Sequence, residues 1–377
     1  MNKHRDILEE LNKHAPLKEK IIAAHKSISR IFPFIARVAI TIYDPETTLL
    51  KTYLHSSIDG NPLPHYQVPL DEAPSLKELA EKGLPRVINN LLTIEDSDNI
   101  HEHTRRIARS GFAASYTLPM FNNGVFIGFI FFNSYETDVF TEMVLEQIDV
   151  YSHIISLMIV NELASIQTLT AAIKTTGHIT HLRDPETGSH MDRMSRYSRL
   201  IAISLADKHR LEDSYIEHIF MFSPLHDIGK IGIPDHILMK PGELDENEKV
   251  IMQSHTRKGC EMIDELLANF GLENVEYIDV LRNITKYHHE SINGEGYPSG
   301  IKGEEIPLES RIVAVADVFD ALTSSRPYKK AWSNEDAIAT LKSMAGETLD
   351  QDCVNALIEN MDQVELIQQQ FKENSFG

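Results

Sequence analysis

Between Thr141 and Leu182 the chain has no proline and a single glycine, Gly177. Within that stretch Ile148, Ile155, Ile159, Ile166, Leu169, Ile173 and Ile179 recur at spacings dominated by three, four and seven. Apolar residues at that period mark one stripe of a long amphipathic helix. A helix of this length cannot fold back on itself, so it divides the 377 residues into two halves, a comfortable length for two domains. Two packings suit the stripe: a parallel dimer helix joining the halves, which is the favoured expectation, or a helix packed on its own two domains. No run of 18 apolar residues is present, so no membrane-crossing segment is expected. The opening residues, MNKHRDILEELNKH, are charged throughout and lack the apolar core of a secretory signal.

The N-terminal half alternates. Residues 1–32 read as helical, with Leu17, Ile21, Ile22, Ile28 and Ile31 set among charges. Arg37–Tyr43 (RVAITIY) is a β-branched alternating run; the turn signal DPET and a second strand, Leu49–His55, complete a hairpin. Leu76–Glu81 reads as a helix and Arg86–Ile88 as a short strand. A second hairpin joins Ala113–Met120 to Val125–Asn133 through FNNG, and a helix opens near Phe140. This predicts an α+β domain on an antiparallel sheet. With the phrase SYTLPMFNNGVFIGFIFFNS, residues 15–160 resemble a GAF domain, which implies a sensor of an unknown small molecule or signal.

The C-terminal half reads as helical over 192–208, 212–226, 245–269, 274–289, 310–322, 334–344 and 350–372, separated by Pro- and Gly-bearing loops. Such a bundle frames converging side chains well. A formal net charge of −20 argues against a genomic DNA or RNA partner. A small phosphorylated substrate remains compatible where local cations, bound metals above all, overcome that field. Two cysteines, Cys260 and Cys353, are too few for a disulfide framework and fit a reducing cytoplasm; Cys260 reads as a small buried apolar residue.

Five pieces among the 18 histidines and the acids carry metal-ligand chemistry. They are Glu186 and His190 in ETGSH, His226–Asp227 in LHDIGK, His255 in QSHTRKG, His288–His289 in KYHHE, and Asp317 in RIVAVADVFDAL. Imidazole and carboxylate suit Fe, Mn and Zn, while the lack of cysteine speaks against a structural zinc knot. Glu186 and His190 share a face if their stretch is helical. The adjacent pairs cannot share one and must sit at a helix end or bend. Asp317 lies on an otherwise apolar run, where a buried lone carboxylate is costly unless a metal compensates it. His178 and His181 precede the motif and read as surface or interface residues.

In order, LHDIGKIGIPD, KPGELDENE, HTRKG, HHESINGEGYPSGIKGEEIP and RIVAVADVFDALTSSRPYKKA are similar to the HD-GYP family over residues 180–365. The resemblance implies a metal-dependent phosphodiesterase that hydrolyses cyclic di-GMP to pGpG or GMP with two or three divalent ions, iron or manganese. It implies the ligands Glu186, His190, His226, Asp227, His255, His288, His289 and Asp317, with Asp227 bridging two ions and Lys230 acting on the scissile phosphate or leaving group. Lys230, Tyr297, Asp320, Arg326 and Lys329 fall at its substrate positions. Domain bounds follow as 1–140 sensor, 141–182 helix and 183–377 catalytic domain.

Two departures stand in the loop. The family's HHERxDGxGYP is HHESINGEGYP here, so Ser291 replaces Arg and Asn293 replaces Asp. Asn293 beside Gly294 suits a turn, whereas the lost Arg bears on loop ion pairing and on dinucleotide choice. Hydrolysis of cyclic GMP-AMP or another nucleotide phosphoester, and a non-catalytic dinucleotide receptor, are the alternatives.

Overall fold

A computed structural model describes residues 6, 8–13, 15–58, 60, 63–91, 102–181, 188–272, 276–324 and 331–372. The chain divides into two units, Met1–Ala164 and Ser165–Gly377, and the division falls inside one long helix.

In the first unit, helix α1 (Leu17–Ile31) begins after Pro16, and a separate 3-10 turn occupies Glu9–Asn12. The single helix expected over 1–32 is therefore two pieces, because proline has no N–H to continue the ladder. Strands β1 (Ile35–Asp44) and β2 (Leu49–Ser57) form the first hairpin. Its turn is fastened by Asp44, whose carboxylate accepts from Glu46 N at 3.1 Å and Thr47 Oγ1 at 2.8 Å. A short strand β3 (Gln67–Pro69), helix α2 (Pro74–Lys82), strand β4 (Arg86–Ile88) and helix α3 (Glu102–Arg109) follow. Neither β3 nor α3 is evident in the sequence pattern.

Strands β5 (Ala114–Asn122) and β6 (Val125–Ser134) form the second hairpin, with Asn123 and Gly124 both at positive φ, as a tight two-residue turn requires. The six strands make one antiparallel sheet ordered β3-β2-β1-β6-β5-β4. One face is a continuous apolar core under α1 and the start of helix α4 (Glu142–His181). The other carries two separate apolar clusters, one with α2 and one with α3.

The stripe on α4 is buried within the protein itself. Ile148, Ile155 and Ile159 lie in the first unit's core, Ile166 and Leu169 in the second's. Those isoleucines are therefore not a free dimer seam. The span Glu142–Leu169 is nevertheless long and apolar enough to cross a membrane by length and composition, which corrects the expectation drawn from unbroken apolar runs.

The second unit is helical: α5 (Gly188–His209), α6 (Asp213–Phe222), α7 (Asp235–Leu238), α8 (Glu246–Gln253), α9 (His255–Phe270), α10 (Ile278–Tyr287), α11 (Leu308–Thr323), α12 (Asn334–Met344), α13 (Gln351–Ile358) and α14 (Met361–Gln370). They enclose one core that includes Tyr197, Phe222, Ile263, Leu281, Ile312 and Phe319. The single helix expected over 245–269 breaks at Ser254, whose hydroxyl donates back to Ile251 O at 2.5 Å. That break sets His255 at the start of α9.

Candidate metal centre

The ligand-type side chains meet in two adjoining groups. Asp227, His255, His288 and His289 form one, and His190, His226 and Asp317 the other; within each, candidate ligand atoms lie within 4.8 Å of one another. They come from five places in the sequence. His190 is on α5. His226 and Asp227 lie in the 3-10 turns after α6, and His255 opens α9. His288 caps the C-terminus of α10, with His289 next to it, and Asp317 is on α11.

Helix ends orient the imidazoles. Backbone carbonyls left over where a helix stops need donors. Nδ1 of His226 meets Ser223 O at 2.9 Å, that of His255 meets Met252 O at 2.8 Å, and that of His288 meets Ile284 O at 2.9 Å. A carbonyl only accepts, so each Nδ1 carries the proton and a neutral ring presents a lone pair at Nε2. All three Nε2 atoms point at one carboxylate. Asp227 Oδ1 lies 3.1 Å from His255 Nε2 and 3.5 Å from His288 Nε2, and Oδ2 lies 3.1 Å from His226 Nε2.

Nε2 of His255 and of His288 is buried without a hydrogen bond. Burial, the largest cause, holds the His288 and His289 pKa values below the ordinary range and so favours neutral rings. Neutral acceptors facing a carboxylate repel unless a cation lies between them, so these residues fit a metal cluster. Burial alone would raise the Asp227 pKa, but the Lys230 ammonium, the largest opposing influence, draws it down and favours the ionised acid. Lys230 Nζ stands 2.7 Å from Asp227 Oδ2 and is the cation at the mouth of the group.

His190 is held differently. Its Nδ1 contacts Asp320 Oδ2 at 2.7 Å, while Nε2 is 3.7 Å from Asp317 Oδ1. Asp320 is fully buried, and Arg193 grips it through Nε at 2.6 Å and Nη2 at 2.9 Å. Ser324 donates to Asp320 at 2.9 Å. The expected substrate role of Asp320 is thereby corrected: it has no surface to offer a ligand and instead orients a histidine from behind. Asp317 also differs from expectation, because its side chain is 19% exposed and faces the cluster's mouth. Arg193 was not singled out in the sequence, although it lies one helical turn from His190, as Asp320 does from Asp317.

Close backbone approach assembles the rest. A Cβ on Gly229 would lie 1.8 Å from His255 O and 2.5 Å from Gly259 N. Only glycine lets the Asp227 turn press against the start of α9. On the far side, Gly296 packs on the Glu290–Ser291 backbone, where a Cβ would lie 2.3 Å from Ser291 N. This seats Tyr297 with its ring centroid 4.7 Å from that of His289 and 6.2 Å from that of His255.

Ser291 and Asn293, the two departures, stabilise this loop without an ion pair. Ser291 Oγ donates to Asn293 Oδ1 at 2.7 Å, Glu295 N donates to the same oxygen at 2.9 Å, and Asn293 N donates to Glu347 O at 2.9 Å. Cys260 is only partly buried rather than a core residue, and neither cysteine is in a disulfide. Glu186, Arg326 and Lys329 lie outside the described residues, as do the side chains of His178 and His181.

Residues 184–353 match the HD domain family. Over 193 residues the chain is 45% identical to "Cyclic di-GMP phosphodiesterase response regulator RpfG" of Xanthomonas campestris, covering 51% of this chain and 48% of that protein. It is 38% identical over 180 residues to a "Cyclic di-GMP phosphodiesterase" of Thermotoga maritima, covering 48% and 46%. It is also 38% identical over 181 residues to "3'3'-cGAMP-specific phosphodiesterase 2" of Vibrio cholerae, covering 48% and 33%. The chain thus spans about half or less of the length of these relatives.

Two solved structures align with parts of the chain. The phycocyanobilin-bound GAF domain of a cyanobacterial phytochrome is 20% identical with a TM-score of 0.33, over 41% of this chain and 89% of that one. The GAF domain/HD domain protein of Geobacter sulfurreducens is 16% identical with a TM-score of 0.32, over 38% and 91%. Residues 184–353 are thus an HD domain.

Proposed function

We propose that the HD unit hydrolyses a phosphodiester bond of a cyclic dinucleotide, cyclic di-GMP first, to pGpG or GMP, and that the GAF-like unit regulates it by binding a small molecule. The observation that carries this reading is the Asp227 carboxylate, set between imidazoles on both of its oxygens. Two or three divalent ions, iron or manganese, fit His190, His226, Asp227, His255, His288, His289 and Asp317, with Glu186 added by the family resemblance. When bound, such ions activate water and neutralise charge on a phosphate.

The chain's own residues do the rest. Asp320 and the helix-end carbonyls hold the imidazoles in one tautomer and one orientation. Lys230 offers a fixed ammonium to a phosphate arriving at the cluster, and Tyr297 walls the site beside His289. Arg326 and Lys329 complete the grip on the substrate by resemblance.

The reading includes a reducing cytoplasmic setting, supported by the two free thiols. It also includes a homodimer through α4, on the face opposite the buried stripe. There Met143, Val150 and Leu157 recur every seven residues and are 69%, 60% and 69% exposed.

The test incubates metal-loaded full-length chain with cyclic di-GMP and, separately, with cyclic GMP-AMP, and resolves the products. Linear dinucleotide or GMP from the first substrate, lost in Asp227→Ala, is the expected result. Cleavage of the mixed dinucleotide alone would move the substrate assignment. Binding without cleavage, or full turnover by folded Asp227→Ala, would overturn the enzymatic reading.

A further inference from the structure

His190 is held at a weak point of its helix. It lies in the first turn of α5 (Gly188–His209), where backbone N–H groups have no carbonyl one turn back to bond and where helices fray. A side chain that must be placed to about 0.2 Å for metal ligation needs that turn fixed from outside. His226, His255 and His288 each fix their rings on a backbone carbonyl three or four residues back. His190 binds a side chain from another helix, Asp320, instead.

The outside support comes from the end of α14 (Met361–Gln370), a helix that is itself anchored. Val364 is fully buried, and Gln368 and Asn334 exchange amide hydrogen bonds, both at 3.0 Å. The chain leaving α14 lies along α5. Ser189 Oγ donates to Lys372 O at 3.2 Å, and Arg193 Nη1 donates to Phe371 O at 2.9 Å. The Arg196 guanidinium carbon stands 3.8 Å from the Phe371 ring centroid, a cation–π contact. Positions 189, 193 and 196 are four and three apart, so they form one stripe of α5 that begins beside His190. Arg196 Nη1 also donates to Asp192 O at 3.1 Å, tying the stripe to the opening of the helix. Arg193 joins the two systems, because its Nε and Nη2 hold Asp320, the carboxylate behind His190. Both guanidinium groups are buried, so these contacts offset the loss of hydration that orders them.

We propose that Phe371 and Lys372 form a latch that positions His190 for the metal group of His190, His226 and Asp317. This rests on the metal-centre reading and adds a positioning residue, Phe371, which belongs to none of the ligand motifs. Phe371 acts through Arg193 and Arg196 on the first turn of α5. The group of Asp227, His255, His288 and His289 is carried by other elements and does not draw on the latch.

The experiment strips the full chain with a chelator and titrates it with manganese(II), reading the free ion by electron paramagnetic resonance. His190→Ala identifies the binding that depends on His190. In Phe371→Ala that same binding should weaken about tenfold, the lower end of what losing support behind a ligand costs, while the remainder stays within about twofold. Phe371→Tyr keeps a ring over Arg196 and should restore the wild-type titration. Val354→Ala, at a fully buried position on α13, controls for stability. It should lower the denaturation midpoint at least as far as Phe371→Ala and leave the titration unchanged. Hydrogen–deuterium exchange over residues 189–193 of the metal-free chain should quicken in Phe371→Ala and not in Phe371→Tyr.

An unchanged titration in Phe371→Ala, an equal weakening of all its metal binding, or the same selective loss in Val354→Ala would overturn the latch and leave the metal-centre reading standing. A wild-type chain that binds neither manganese(II) nor, without oxygen, iron(II) overturns both.

Discussion

Gly229→Ala tests whether the cluster is assembled by backbone contact. The new Cβ would fall 1.8 Å from His255 O and 2.8 Å from His255 C, both backbone atoms that cannot swing aside. Reaching the 3.4 Å of an ordinary contact needs a displacement of about 1.6 Å between the Asp227 turn and the start of α9. His255 Nε2 is now 3.1 Å from Asp227 Oδ1. Metal ligation tolerates roughly 0.2 Å, so one ligand is lost. We expect a stability loss of about 1–3 kcal/mol from overpacking and a metal affinity at least ~10-fold weaker. Two glycines calibrate the result. On Gly232 a Cβ meets only the flexible Lys258 Cδ at 3.0 Å, so Gly232→Ala should retain metal. On Gly259 it meets Thr285 Cγ2 at 2.5 Å, a side-chain atom, and Gly259→Ala should fall between. Metal content after dialysis against a chelator, with a chemical-denaturation curve for each variant, is the assay. Full metal retention in Gly229→Ala, or equal loss in Gly232→Ala, would refute the reasoning.

Asp320→Asn leaves the Arg193 guanidinium buried without its counter-charge and weakens the hold on His190. Denaturation should show a loss of about 3–5 kcal/mol and metal retention a ~10–100-fold drop, and wild-type values in both would be the contrary result. The buried His218 has its pKa lowered to about 4, chiefly by burial. The unfolded chain takes up this proton near 6.5 and the folded chain only near 4, so stability is complete above 6.5 and falls as pH drops between the two values. The loss is about 3 kcal/mol by pH 4, and a flatter stability–pH curve in His218→Leu checks it. Leu157→Glu places a charge in the proposed α4 seam; analytical ultracentrifugation should show a shift toward monomer, with secondary structure unchanged by circular dichroism. An unaltered dimer in Leu157→Glu would reject that face.

The hairpins were legible because their turns are written in residue chemistry: Asp44 with its Asx bonds, and Asn123–Gly124 at positive φ. The adjacency of His226 with Asp227, and of His288 with His289, was itself informative, since neighbours cannot share a helix face. Both pairs do lie where a helix stops. Other features left weaker traces. The α4 stripe was clear, but periodicity says only that a face is buried, and here the protein's own cores bury it. Strand β3 spans three residues and α3 eight, too short for a period to emerge. The break at Ser254 hides within continuous helix-forming sequence. Asp317 and Asp320 show how alike two acids look on one apolar run. A carboxylate facing the cluster and one held by arginine behind it differ only in what the fold brings against them.

That distinction gives a physical rule for telling a scaffold from a site in this chain. Asp320 is buried but saturated: His190, Arg193 and Ser324 occupy its oxygens, so its burial costs little and its role is to hold. Asp227 is surrounded by acceptors instead, with imidazole Nε2 atoms on both of its oxygens. A folded protein tolerates few such groups, since each forfeits its hydration without return. Where several converge, as the imidazoles and Asp227 do, the missing partner must be a cation. The sign of the unmet demand, more than the residue types alone, separates the cluster that calls for a cation from the saturated carboxylate behind it.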